Sequence, residues 1–191
     1  MEIKNKEGEV ILVVEDRDSK GEHNKISFKG VGPQSLMLDD VNLSSTDLRN
    51  AKLEYAHLDS ADLSYADLEG ASLAMSNMGS TNFFRANLRN ADLYGSFLNM
   101  ANFQEANLEG ANLQGSNLVQ ANLHGANLTN ANLSPDNMGV ETTLHSADLR
   151  GATIAGTNFK GARYSINTLF PSGFDPEQHG MELDDEELRI I

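Results

Sequence analysis

At 191 residues the chain is sized for one domain, and with 6% aromatic residues and no Trp its core must be built from aliphatic side chains. The absence of Cys removes disulfides, a thiolate nucleophile and Cys-ligated zinc. A formal charge of −14 excludes direct binding to nucleic acid, which depends on Lys and Arg displacing counterions from phosphate.

That charge is unevenly spread, with 7 acids against 6 bases in residues 1–36, 14 against 7 in 37–170, and 7 against 1 in 171–191. The first 35 residues hold a single five-residue apolar run, Val10 to Val14. It is too short for a signal-sequence core or a membrane span, so the expected location is the cytoplasm, with no membrane partner. Residues 9–14 and Lys25 to Lys29, joined by a polar turn at Ser19 to Asn24, predict a β-hairpin in a 1–35 N-terminal cap.

From Leu38 to Met138 a large apolar residue stands at every fifth position: 17 Leu, two Phe (Phe83, Phe103) and two Met (Met78, Met138). Two residues before these, 13 positions are Ala and five are Ser or Thr. A period of five matches neither the helical 3.6 nor the strand period of 2. The pair two apart lies on one face of a short extended segment, and the other three residues must take the chain round a corner. Four such sides close a square, so a coil takes 20 residues. Gly70, Gly95, Gly110, Gly115 and Gly125 fall two residues after the central position, where a turn calls for positive φ. After Met138 the phase slips by one residue, and Leu144, Leu149, Ile154, Phe159, Tyr164 and Leu169 continue the comb. A bulged corner is therefore expected near 135–143, with exterior columns that repeat at 21 residues across it.

The repeat A-(N/D)-L-x-x, nearly pure in "ANLEGANLQGSNLVQANLHGANLTNANL", resembles the pentapeptide-repeat family. The resemblance implies an all-β fold, a right-handed quadrilateral β-helix over residues 36–170. With 27 central positions it would have a little under seven coils and a length of roughly 30 Å. Residues 171–191 are expected to form a C-terminal cap and acidic tail, with Phe170 just before it and Phe174 within it available to cover the last core layer. The "FP-GFDP" stretch there is similar to the terminus common in cyanobacterial members of the family.

Stacking at 20 residues lets the exterior be read in columns. Arg49, Glu69, Arg89, Glu109, Thr129 and, across the slip, Arg150 form a ladder of alternating charge. Tyr65, Arg85 and Glu105 suggest a cation–π contact followed by an ion pair. Asn82, Asn102, Asn122 and Asn87, Asn107, Asn127 can exchange amide hydrogen bonds, and Phe83 should stack on Phe103 inside. The stacked carboxylates Asp47 and Asp67 are a like-charge pair in which one pKa would rise. His124 and His145 fall in one column, but no further donor there completes a metal site, and no cofactor is expected. With no convergent nucleophile, base and oxyanion donor, the reading is a non-enzyme.

The exception to a polar exterior is a strip of Tyr55, Met75, Tyr94, Phe97, Met100 and Val119 around one corner and its adjoining face. It predicts an interaction module that docks an unidentified protein on a lateral face. The alternative, drawn from quinolone-resistance members, is a DNA-mimicking binder of a type II topoisomerase. It would use the acidic surface Asp39, Asp40, Asp47, Glu54, Asp59, Asp62, Asp67 and Glu69, but from Tyr94 to Pro135 the only charges are Glu105 and Glu109. End-to-end homodimers are common in the family, so the resemblance implies a homodimer as a further partner, with the extended C-terminal cap standing against the end-to-end route.

Overall fold

The computed structural model describes residues 2–4, 10–13 and 36–184. Beginning at Leu36 the chain winds as a four-sided coil, and each side is a ladder of parallel bridges between successive coils. Side one runs Met37, His57, Asn77, Phe97, Asn117, Thr143, Arg163. Side two runs Asn42, Asp62, Asn82, Asn102, Asn122, Asp148, Leu169. Side three runs Asp47, Asp67, Asn87, Asn107, Asn127, Thr153, and side four Lys52, Ser72, Asp92, Asn112, Asn132, Asn158. Inside, the central Leu and the preceding Ala of each five form one continuous core from Leu36 to Met181. Phe83 and Phe103 stack within it, with ring centroids 4.8 Å apart and planes 2° from parallel. Buried hydroxyls at the small position are satisfied by main-chain carbonyls, as in Ser76 to Leu53 at 2.6 Å and Thr81 to Leu58 at 2.7 Å.

The five-residue unit is explained by where its N–H groups go. At a typical side the Leu48 N–H donates to Asp67 O at 2.7 Å and the Asn50 N–H to Glu69 O at 2.9 Å, both one coil on. The Asp67 N–H reaches back to Thr46 O at 2.9 Å, and Ala51 closes the corner onto Leu48 O at 3.0 Å. The remaining N–H, of the residue after the Leu, is accepted by the Asn or Asp carbonyl or carboxylate oxygen two residues earlier. Phe84 to Asn82, Gln104 to Asn102 and Arg150 to Asp148 are examples, at 3.2, 3.2 and 3.0 Å. This is why the repeat reads Asn or Asp before Leu. The same side chains also link coils, with Asn102 Nδ2 donating to Asn82 at 2.9 Å and Asn122 Nδ2 to Asn102 at 3.1 Å.

The third turn position has φ between 55° and 70° along the regular coils, whether it is glycine or, as at Tyr55, Tyr65, Met75, Arg85, Met100 and Glu105, a large residue. Positive φ there is the type II requirement. The corners hold non-glycine residues in a region that disfavours them by roughly 1 to 2 kcal/mol each, which the closed hydrogen-bond pattern and the core offset.

Three sequence expectations change. Met138 is not a core position: it is 75% exposed, and the comb stops at Leu133 and resumes at Leu144. The insertion is therefore six residues, and the columns jump by 26, as in Asn117 to Thr143, not 21. Asp136 organises the bulge by accepting from the N–H groups of Met138 and Val140 at 2.8 and 2.7 Å. Thr142 mends the interrupted ladder, its hydroxyl accepting from Gly115 N–H at 3.0 Å. Arg150 consequently stacks over His124 rather than Thr129, and His145 over Val119, so the expected histidine column does not exist.

In the last coil a second slip occurs. Leu169 faces outward, bridging Asp148, and Phe170 packs against the core in its place. A turn at Ser165–Thr168 absorbs the extra residue, closed by Thr168 N–H on Ser165 O at 3.0 Å.

At the ends, β1 (Glu2–Lys4) pairs antiparallel with β2 (Val10–Val13). The strand expected at 9–14 is thus present, but its partner here is Glu2–Lys4, and the expected partner Lys25 to Lys29 and turn Ser19 to Asn24 lie outside the described residues. At the other end β3 (Arg163–Tyr164) pairs in parallel with β4 (Glu182–Leu183), adding a rung to side one. Beneath that return, Phe174 lies 5.4 Å from Phe159 and 5.1 Å from Phe170, and Phe170 5.5 Å from Tyr164. Arg163 holds the returning strand through Glu182 at 2.8 Å, with Glu141 at 3.5 Å and Asp184 at 3.8 Å.

Candidate interaction face

Side one departs from the other three. Sides two to four carry Asn or Asp on 15 of their 19 rungs, where those side chains can accept the corner N–H. On side one Phe97 interrupts Asn77 and Asn117, and it is 54% exposed. A phenyl ring accepts no such hydrogen bond, so the backbone supplies no reason for it.

The corners on either side of Phe97 hold the rest of the strip. Tyr55 and Met75 stack at the corner between sides four and one, both exposed. The Met75 sulfur lies against Gly95 where a Cβ would stand, so the glycine is what lets the thioether run along the corner. Met100, 58% exposed, occupies the corner between sides one and two, and its N–H donates to Val119 O at 2.8 Å. Val119 is half-buried. Tyr94 is half-buried too, and its hydroxyl donates to Asp136 Oδ2 at 3.0 Å, tying the inserted loop down over the corner. That hydrogen bond raises the Tyr94 pKa. Burial works to raise the Asp136 carboxyl, but hydrogen bonds from the Val140 N–H, the Tyr94 hydroxyl and neighbouring N–H groups outweigh it and hold it below the usual range.

The loop adds two exposed apolar residues to the same corner, Met138 and Val140, which the sequence reading missed. Met138 fits the five-residue comb by spacing alone, so nothing in the pattern marked it as external. The signal was Pro135, which follows Ser134 where a corner residue with positive φ would otherwise stand.

The acidic residues of the alternative reading are dispersed. Asp39, Asp40 and Asp59 lie at the corner between sides one and two, Asp62 on side two, Asp47, Asp67 and Glu69 along side three, and Glu54 at the corner between sides four and one. Several are engaged: Arg49 reaches Asp47 at 2.6 Å and Asp67 at 3.5 Å, bridging the like-charged pair, and Arg89 reaches Glu69 at 3.7 Å. Arg85 pairs with Glu105 at 2.7 Å, but its guanidinium lies over Phe84 at 5.1 Å, with Tyr65 edge-on to that ring at 5.5 Å. The expected cation–π contact of Arg85 is therefore made with Phe84, while Tyr65 also interacts with the guanidinium directly. His145 approaches Asp184 at 3.3 Å. Among the described residues no group of three or more His, Cys, Asp or Glu is placed to hold a metal ion.

These features define an all-β repeat solenoid whose distinguishing surface is a lateral face and not a cleft. Its repeats match the model described as pentapeptide repeats, in eight copies, over residues 42–78, 61–99 and 101–134, and the chain belongs to that family. Similar solved structures include the pentapeptide repeat protein Rfr23 of the cyanobacterium Cyanothece 51142, 33% identical, with a TM-score of 0.47 over 52% of this chain and 63% of that one. The chain thus spans less than two thirds of that protein. HetL of Nostoc sp. strain PCC 7120, a pentapeptide repeat protein involved in heterocyst differentiation regulation, is 28% identical, with a TM-score of 0.41 over 78% and 75%. QnrB1, a plasmid-mediated fluoroquinolone resistance protein, is 18% identical, with a TM-score of 0.38 over 81% and 95%. No curated protein matches the chain.

Proposed function

We propose that this chain is a non-catalytic docking module of the cytoplasm that binds a protein partner on side one. The observation that carries the reading is Phe97, an exposed phenyl ring between Asn77 and Asn117 on the side-one ladder, with exposed Met75 and Met100 at the flanking corners. Contiguous exposed apolar surface of this kind marks interfaces. In the same reading the coil winds right-handed through a little under seven coils, as parallel crossovers favour, and the β1–β2 hairpin belongs to the N-terminal cap.

The test is an affinity pull-down from native lysate, with wild type and the Phe97→Asp, Met100→Lys double variant side by side and bound proteins identified by mass spectrometry. A partner retained by wild type and lost by a normally folded variant supports docking on this face. Identical profiles sink it. The topoisomerase-mimic alternative has weaker support, because its acids ring the first coils instead of lining one side and several are neutralised by Arg49 and Arg89.

A further inference from the structure

The chain has seven Met and no Cys, so its sulfur chemistry is that of thioethers. Among the described residues two of these are inside, Met78 at a core position of side one and Met181 in the C-terminal cap. Met37, Met75, Met100 and Met138 are exposed, and all four stand on side one or at its corners. Met37 is the first rung of that side, Met75 lies at the corner with side four, Met100 at the corner with side two, and Met138 in the inserted loop. Among the described residues no exposed Met occurs on sides two to four or at the corners between them. The backbone does not account for this placement. Positive φ at Met75 and Met100 disfavours β-branched residues there. Met37 and Met138 have ordinary φ, where any apolar side chain would serve.

We propose that Met37, Met75, Met100 and Met138 are modification sites, at which hydrogen peroxide converts side one from an apolar to a polar face. At each, a sulfur lone pair attacks one peroxide oxygen, and the S–O bond forms as the O–O bond breaks. The proton on the transferred oxygen passes to the departing hydroxide, which leaves as water. Sulfur is oxidised by two electrons and the peroxide is reduced by two. The sulfoxide is a polar hydrogen-bond acceptor where a thioether stood, and methionine sulfoxide reductases reverse the step. Burial shields Met78 and Met181 from the oxidant, so the core and its ladders are untouched and the change is confined to one side. A further consequence rests on the docking reading above. Oxidation releases the partner, because its apolar contacts with these residues would bury unpaired sulfoxide dipoles.

The experiment treats the intact protein with graded hydrogen peroxide. It follows sulfoxide at each Met by peptide mass spectrometry, retention on a phenyl hydrophobic-interaction column, and thermal unfolding by circular dichroism. The four exposed thioethers should oxidise at least tenfold faster than Met78 and Met181. Met138, 75% exposed, should lead Met75, which is 40% exposed with its sulfur against Gly95. Retention should fall as they oxidise and recover with reductases specific for the two sulfoxide epimers, while unfolding stays cooperative. A variant carrying Met37→Leu, Met75→Leu, Met100→Leu and Met138→Leu keeps the face apolar and should hold its retention in peroxide. Oxidation of Met78 or Met181 at a comparable rate, loss of cooperative unfolding, or unmoved retention of the wild type would overturn the proposal. Repeating the lysate pull-down with oxidised protein separates this proposal from docking. A partner lost by oxidised wild type and kept by the peroxide-treated Leu variant is the expected result. Capture unaffected by oxidation would overturn release and leave docking standing. Capture by neither form of the wild type would sink docking, with the modification still decided by mass spectrometry and the column.

Discussion

Asn and Asp before each central Leu act at the scale of single hydrogen bonds. Asn102 accepts from Gln104 N–H at 3.2 Å and from Asn122 at 3.1 Å, and donates to Asn82 at 2.9 Å. Asn102→Ala removes all three and should lower unfolding stability by about 1 to 2 kcal/mol, read from chemical denaturation. Leu108, fully buried, fills the middle of a layer. Leu108→Ala should cost about 2 to 5 kcal/mol in the same assay, and a loss under 1 kcal/mol would mean that the layers collapse to fill the gap. Acid-side titration is also a residue-scale matter. The Asp136 carboxyl is held low by the N–H groups it binds, so its contribution is fully present above the unfolded carboxylate pKa and is lost as pH falls through the lower folded value. The Met138 and Val140 amide resonances should therefore titrate with a midpoint below that of an ordinary Asp, whereas a midpoint at or above it would contradict the hydrogen-bonded geometry.

At the scale of the element, the inserted loop is six residues too many for the coil and nothing else. Excision of residues 135–140 leaves Ser134 followed by Glu141 at the corner and Thr142, Thr143 and Leu144 in their normal places. The shortened chain should fold with an unchanged circular dichroism spectrum and bind any side-one partner more weakly, since Met138 and Val140 are gone. Failure to fold would mean that the loop is a structural staple through Asp136 and Tyr94. The loop also shows where sequence periodicity runs out. Leu at every fifth position is legible because the core selects it on each rung, and the stacked Phe83 and Phe103 followed from that. Met138 satisfied the same spacing while pointing into solvent, and Leu169 did so one position short of Phe170. Spacing reports the distance along the chain, and only the hydrogen-bond register reports which face a side chain takes. His124 and His145 were misaligned for the same reason. The outward placement of Tyr55, Met75, Phe97 and Met100 was legible because they sit within the uninterrupted part of the ladder; that of Met138 and Val140 was not.

For the whole molecule the relevant quantity is how charge is distributed around the four sides. The acids of the first coils are distributed around the coil and partly paired, so the described residues carry no stripe at phosphate-like spacing. It should leave DNA gyrase supercoiling unchanged at large molar excess, and inhibition at stoichiometric protein would revive the mimic reading. The placement of five of the seven Lys and Arg of residues 37–170 on sides two to four and the corners between them is not visible in net charge or in any linear window. It emerges only when residues 20 or 26 apart are laid over one another.

A solenoid of near-identical rungs has a translational degeneracy: shifted by one coil, most of its surface coincides with itself. A partner lying along such a surface has several almost equivalent positions and slides among them. Phe97 occurs on one rung of side one, and the loop at 135–140 projects from one corner. Between them they index the ruler, so that a segment seated on this side has a single address along its length.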